Sequence, residues 1–136
     1  MILADTSAWV EFDRATGSAV HKRMAGLVGM SGELAVTEPV VMEVIAGART
    51  EQREDQLRRL LGRFTLMGFD PIVDFDAAAR IYRSCRRVGV TPRGMVDCMI
   101  MSVVQRHGAT LLACDADLTR VAGVLGLRLD DACLAD

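Results

Sequence analysis

Met1-Ile2-Leu3-Ala4-Asp5-Thr6-Ser7-Ala8-Trp9-Val10-Glu11-Phe12 runs from a short apolar segment straight into a helix start. Met1 to Ala4 suits a buried strand, and Ala8 to Phe12 suits a helix that Thr6 or Ser7 can cap. A strand passing directly into a helix opens a βα unit. In parallel sheets built from such units, ligands gather at the carboxyl ends of the strands. Asp5 stands at that end. Taken alone it reads equally well as a helix cap or as a ligand-binding carboxylate.

The same pattern returns later in the chain. Thr110-Leu111-Leu112-Ala113-Cys114 is the clearest buried strand and stops at Asp115-Ala116-Asp117. Leu118, Val121, Ala122 and Leu125 then trace a short helix. Between these two units, Val20, Met24, Leu27 and Val28 repeat at helical spacing, and Leu34-Ala35-Val36 is a second short strand. Thr37-Glu38-Pro39 opens a helix over Val40 to Ala46, closed by Gly47. A longer amphipathic helix is expected from Thr50 to Phe64, with Leu57, Leu60, Leu61 and Phe64 inward and Arg53, Glu54, Arg58 and Arg59 in solvent. Either Leu66 to Phe69 or Ile72-Val73, on the two sides of the Asp70-Pro71 turn, supplies a third strand. Phe75 to Val88 is again helical, packing through Phe75, Ala78, Ala79, Tyr82 and Cys85. Leu127-Arg128-Leu129 is expected as a last edge strand. Strands alternating with helices predict a three-layer α/β/α domain with a short-stranded, mainly parallel central sheet, formed by residues 1–136 as one domain.

Two helices carry an anomaly. Gly94-Met95-Val96-Asp97-Cys98-Met99-Ile100-Met101-Ser102-Val103-Val104 is apolar on nearly every side, yet it contains Asp97. At helical spacing its neighbours are Gly94, Ile100 and Met101, none of which can neutralise it. A lone buried carboxylate costs several kcal/mol or takes up a proton unless a cation reaches it. Glu43 repeats the pattern within Val40 to Ala46. Asp5 and Asp115 should lie on the carboxyl edge of the sheet, and the helices of Glu43 and Asp97 must pack on that sheet. Four carboxylates converging there would repel one another strongly without cations. Oxygen ligands without His or Cys favour Mg2+ or Mn2+ over zinc, and such a site suits metal-assisted phosphodiester hydrolysis.

Composition agrees. The 136 residues are 51% hydrophobic, enough for a real core without disulfides or a structural metal. Asp5 interrupts the first apolar residues and no uncharged apolar run approaches the length of a membrane span, which predicts a soluble, cytoplasmic protein. Cys85, Cys98, Cys114 and Cys133 form no C-x-x-C pair, and His21 and His107 add no ligand spacing, so buried free thiols are expected instead of zinc. His107 sits well as a helix C-terminal residue beside Gly108. The net charge is −2. With four of the 18 acidic residues in a metal cluster, 14 remain against 16 basic ones, or +2 outside the site. Arg80, Arg83 and Arg87 share one face of their helix with Arg86 nearby. This is most simply a solubilising face, with a phosphate-contacting strip as the other reading.

The chain resembles the PIN-domain nucleases, specifically the VapC-type toxins of bacterial toxin–antitoxin systems. Four blocks in the family's order carry the resemblance: Met1 to Trp9 with its D-T-S, Thr37 to Gly47 with Glu43, Asp97-Cys98-Met99-Ile100, and Leu111 to Leu118. The resemblance implies that Asp5 and Asp97 are the principal Mg2+ ligands, with Mn2+ also suitable. Glu43 completes the acidic pocket and positions the attacking water, and Asp115 is its fourth member. Thr6, Ser7 and Asp117 are implied at the substrate-facing part of the site, Asp117 at its rim. It further implies endoribonuclease activity, a homodimer, and a cognate VapB-type antitoxin that blocks the site. Two departures are Leu118, where an aromatic is common, and Met99-Ile100-Met101-Ser102, where small alanines are common. Neither removes a ligand.

Two other readings compete. A phosphoryl-handling domain would need a suitably placed lysine, and its phosphatase form a D-x-D after the first strand. Lys22, the one lysine, lies in an early amphipathic helix, and Asp5-Thr6-Ser7 is not D-x-D. The remaining alternative is a PIN-fold RNA-binding or RNA-processing protein without toxin activity.

Overall fold

The computed structural model describes residues 1–30 and 32–134. Among them the strands are β1 (Ile2–Ala4), β2 (Leu34–Val36), β3 (Thr65–Leu66) and β4 (Thr110–Leu112). The helices are α1 (Thr6–Arg14), α2 (Ala19–Val28), α3 (Glu38–Ala46), α4 (Glu51–Leu61), α5 (Pro71–Arg87), α6 (Met95–His107) and α7 (Ala116–Leu125), followed by a 3-10 turn at Asp131–Leu134. The strands form one parallel sheet in the order β3-β2-β1-β4, with Leu3 opposite Ala35 on one side and Leu111 on the other. Leu3, Ala4, Ala35, Leu111 and Leu112 are all fully buried. Successive strand residues point to opposite faces, so helices cover both sides of the sheet in an α/β/α sandwich.

The order places β1 between β2 and β4. The chain runs from β1 outward to β2 and β3 on one side and then crosses back to β4 on the other, and the crevice at such a reversal is where open α/β sheets bind ligands. Two hydrogen bonds close the carboxyl ends of β1 and β4 onto each other. The Asp5 amide donates to Leu112 O at 2.9 Å, and the Cys114 amide donates to Ser7 Oγ at 2.9 Å.

Several expectations need correction. The third strand is Thr65–Leu66, pairing with Ala35 and Val36, while Ile72 and Val73 lie inside α5. Asp70 caps that helix by accepting from the Ile72 amide, and Pro71 takes the first helical position, where its missing N–H matters least. The inward stripe is Asp74, Ala78, Ile81 and Cys85, with Phe75 and Ala79 exposed. Helix α4 ends at Leu61, capped by Gly62, three residues before Phe64. Leu127 to Leu129 adds a single parallel bridge, Leu129 to Leu111, before the chain turns into the 3-10 segment. Of the four free thiols, Cys85 and Cys98 are buried, whereas Cys133 is half-buried and Cys114 exposed. No helix among the described residues is long and apolar enough to cross a membrane.

Candidate metal and phosphate site

Asp5 follows β1 immediately and is the N-cap of α1, the role the sequence left open to Asp5, Thr6 or Ser7. Its Oδ2 accepts from the Ser7 amide at 3.0 Å and the Ser7 hydroxyl at 2.7 Å. Oδ1 is buried and has no hydrogen-bond partner. The cap and ligand readings of Asp5 therefore apply to different oxygens. Capping uses Oδ2 and fixes the carboxyl plane, and Oδ1 is left buried without a donor.

Asp97 comes to the same crevice from α6. That helix begins at Met95 with Gly94 as its cap, so Asp97 lies in the first turn and not mid-helix. The free amides there favour a negative charge. Burial above all, then the charges of Asp5, Asp115 and Glu43, nevertheless raise its pKa against a smaller pull from Arg93, to a net value of about 6. Burial also raises Asp5. Hydrogen bonds from Ser7 and the Thr6 amide work against that rise, and the Glu43 charge adds to it. Glu43 projects from α3, and the Thr6 hydroxyl donates to its Oε1 at 2.6 Å. Asp115 ends the β4 segment and caps α7, its Oδ1 accepting from the amides of Asp117 and Leu118.

These four carboxylates line one cleft of about 550 Å3 together with Thr6, Ser7 and Asp117. All seven residues singled out from sequence thus lie on its wall. Ser7 ties Asp5 to the β4 end, Thr6 holds Glu43, and Asp117 is half-exposed at the rim.

Arg93 was not anticipated. Its Nη2 donates to both oxygens of Asp115, at 2.8 and 2.9 Å, and to Asp117 Oδ2 at 3.1 Å. The charge of Asp115 and the hydrogen bond to Asp117 hold the guanidinium firmly protonated. The available signal was a cation four residues before Asp97 in the loop opening its helix. Glu11 and Cys114 also border the cleft. The Ser18 hydroxyl above all holds the Glu11 carboxyl below its ordinary pKa.

Among the described residues, no three His, Cys, Asp or Glu side chains stand as a ready-made metal-ligand group. Instead, Asp5 accepts from Ser7, Glu43 from Thr6 and Asp115 from Arg93. Their chemistry still fits a hard divalent cation. The donors are all oxygen, Asp5 Oδ1 is a buried orphan, and Asp97 is short of positive charge.

Residues 2–124 match the PIN domain family model. A VapC ribonuclease of Mycobacterium bovis is 40% identical over 129 residues, covering 94% of this chain and 96% of that protein. Ribonuclease VapC11 of Mycobacterium tuberculosis matches to the same extent. The fold is also similar to that in the crystal structure of VapBC2 from Rickettsia felis bound to a promoter DNA fragment, with TM-score 0.72 at 18% identity over 96% of this chain and 98% of that one. VapC20 of Mycobacterium tuberculosis, described as a Sarcin-Ricin loop cleaving toxin, has TM-score 0.64 at 19% identity over 88% of this chain and 94% of that one.

Proposed function

This chain belongs to the PIN-domain family and to its VapC branch, and we propose that it is a Mg2+- or Mn2+-dependent endoribonuclease, the toxin of a type II toxin–antitoxin pair. Residues 1–136 act as one domain in this reading. It works in the cytoplasm as a homodimer, and a VapB-type antitoxin restrains it.

The observation that carries the metal chemistry is Asp5 Oδ1, a buried carboxylate oxygen with no donor, facing a second acidic side chain whose pKa is raised. A buried charge left in that condition is strongly unfavourable unless a cation completes it. Asp5 and Asp97 hold the ion in this proposal, with Glu43 and Asp115 around it. When bound, Mg2+ or Mn2+ supplies Lewis acidity to the phosphate and lowers the pKa of its water. Ser7 keeps the Asp5 carboxyl from rotating. Thr6 holds one oxygen of Glu43, leaving the other to orient the attacking water toward phosphorus. Asp117 and Arg93 stand at the rim where the RNA strand enters.

Incubation of the purified protein with total cellular RNA, with and without Mg2+, beside an Asp97→Asn variant, tests the site. Cleavage should require the ion and be lost in the variant. Equal cleavage by both proteins would remove Asp97 from the site. Expression alone should arrest growth, and co-expression of the adjacent small gene should relieve the arrest. Normal growth with abundant soluble protein would refute the toxin role.

A further inference from the structure

From Ala77 to Val96 the chain carries five arginines and no acidic residue, although its net charge is −2. The stretch covers most of α5 and the loop into α6, and it ends one residue before Asp97. Arg80 pairs with Asp76 at 3.0 Å and Arg93 with the cleft carboxylates. The other three, Arg83, Arg86 and Arg87, are exposed and have no acidic partner among the described residues. Arg86 leans on Tyr82 instead, its guanidinium 5.9 Å from the ring centroid and its Nη1 3.5 Å from the hydroxyl. Together with Tyr82 these three arginines border a shallow depression of about 390 Å3.

A solubilising face usually interleaves its charges, as α4 does when Glu54 answers Arg58 at 2.8 Å. In α5, Arg83 meets Arg87 at i,i+4 and Arg86 at i,i+3. Each like-charge pair at such spacing costs roughly 0.2–0.5 kcal/mol, offset in part by the helix C-terminus beneath them. The cluster is therefore a local electrostatic cost that a polyanion would remove. Its position is specific as well. Cys85, in the last turn of α5, and Cys98, beside Asp97 on α6, are both fully buried in one hydrophobic core, where α5 and α6 pack on each other. The arginine end of α5 thus packs against the end of α6 that carries the site.

We propose that Arg83, Arg86 and Arg87, with Tyr82, form an RNA-backbone track that carries the single strand from the carboxylate cleft, past Arg93, across the C-terminal turns of α5. The arginines contact phosphates and the Tyr82 ring offers a face on which a base stacks. This assignment rests on the ribonuclease reading above and adds to it where the strand lies outside the cleft.

The test uses R83Q/R86Q/R87Q, since glutamine preserves helix propensity, and R83K/R86K/R87K, which preserves charge. Binding of a fluorescein-labelled single-stranded RNA of roughly 20 nucleotides is measured in EDTA across a salt series. The glutamine variant should bind about tenfold more weakly at low salt, and its log K against log salt slope should be shallower by about 2, from roughly 0.7 per lost phosphate contact. The lysine variant should retain most of the affinity. In Mg2+, the glutamine variant should show a raised KM and unchanged kcat on this RNA, and wild-type rates on an RNA too short to leave the cleft. Unchanged affinity and slope, in a variant that cleaves like wild type, overturns the track alone. Unchanged RNA affinity with weakened capture of a poly-glutamate peptide assigns the strip to an acidic protein and likewise overturns it. A wild-type protein that neither binds nor cleaves RNA removes the nuclease reading and the track together.

Discussion

Asp74 and Asp5 are both carboxylates taken almost wholly out of water, at 1% and 3% exposure, yet their surroundings differ completely. Asp74 receives Arg106 Nε on Oδ1 at 3.1 Å and Arg106 Nη2 on Oδ2 at 2.7 Å, and the Asp70 amide also donates to Oδ2 at 2.7 Å. Burial by itself would raise its pKa. The Arg106 hydrogen bond, the Asp70 amide and the guanidinium charge outweigh burial and hold it below the ordinary carboxylate value. Asp5 has hydroxyl and amide donors on one oxygen and nothing on the other, and burial, with the charge of Glu43, pushes its pKa up. Helix α6 serves both places, with Arg106 in its last turn and Asp97 in its first. Burial of an acid is thus not the mark of a site. The mark is burial for which the chain supplies no cation.

Removing the cation where the chain does supply one should have the largest effect. Arg106→Met leaves Asp74 buried and unpaired, and chemical denaturation should show a loss of about 3 kcal/mol, much of it recovered in the Asp74→Asn, Arg106→Met double variant. If the single change is silent, the contrast between the two regions collapses.

Supplying the missing cation should stabilise the other region. Mg2+ or Mn2+ at ten times its Kd should raise wild-type stability by about 1.4 kcal/mol in thermal melts, and should do little for Asp97→Asn. Without metal, the same Asp97→Asn change should be neutral or stabilising by up to about 1 kcal/mol at neutral pH, while abolishing RNA cleavage. Marked destabilisation would mean that Asp97 serves the fold.

The two regions should also answer pH with opposite signs. Asp97 is raised from 3.8 to about 6, so the folded state binds more protons than the unfolded one in that window. Its contribution is fully present below 3.8 and is lost as pH rises through about 6. Asp74 is lowered, so its contribution is present above 3.8 and is lost as pH falls through its folded value. Stability profiles of Asp97→Asn and Asp74→Asn, each subtracted from wild type, should slope in opposite directions. Apparent metal affinity should fall about tenfold per pH unit below about 6, because the ion then competes with a proton on Asp97.

The smallest effect belongs to the rim. Arg120 donates to Asp117 at 3.2 Å on the open surface. Arg120→Ala should change stability by less than about 0.5 kcal/mol, since exposed pairs are worth little.

Much of the site was legible because its residues violate local patterns. Asp5 and Asp115 stop apolar strands, and Glu43 and Asp97 interrupt apolar helices, so each is visible within a few residues of itself. Arg93 and Asp74 carry no such mark. Arg93 sits in a loop where any polar residue is acceptable, and its partners are 22 and 24 positions away. Asp74 stands just before the helix expected from Phe75, and the cation that pairs with it lies 32 residues on. The shifted face of α5 has a similar origin. Asp70-Pro71 reads as a turn, whereas in the fold Asp70 caps α5 and Asp74 lies on the inward face of that helix.

By themselves, the residues determined the alternation of strand and helix, the all-oxygen chemistry of the acids and the strand ends where two of them stand. Hydrophobic periodicity and strand termination are local properties that a few neighbouring residues express. The tertiary structure alone decided which oxygen of Asp5 is spent on capping and which is left bare, that Arg93 closes on Asp115, and that Asp74 finds Arg106. Those outcomes depend on distances between segments that only the folded sheet brings together. The first twelve residues announced a carboxylate at the end of a strand, and the fold set Glu43, Asp97 and Asp115 around the same cleft.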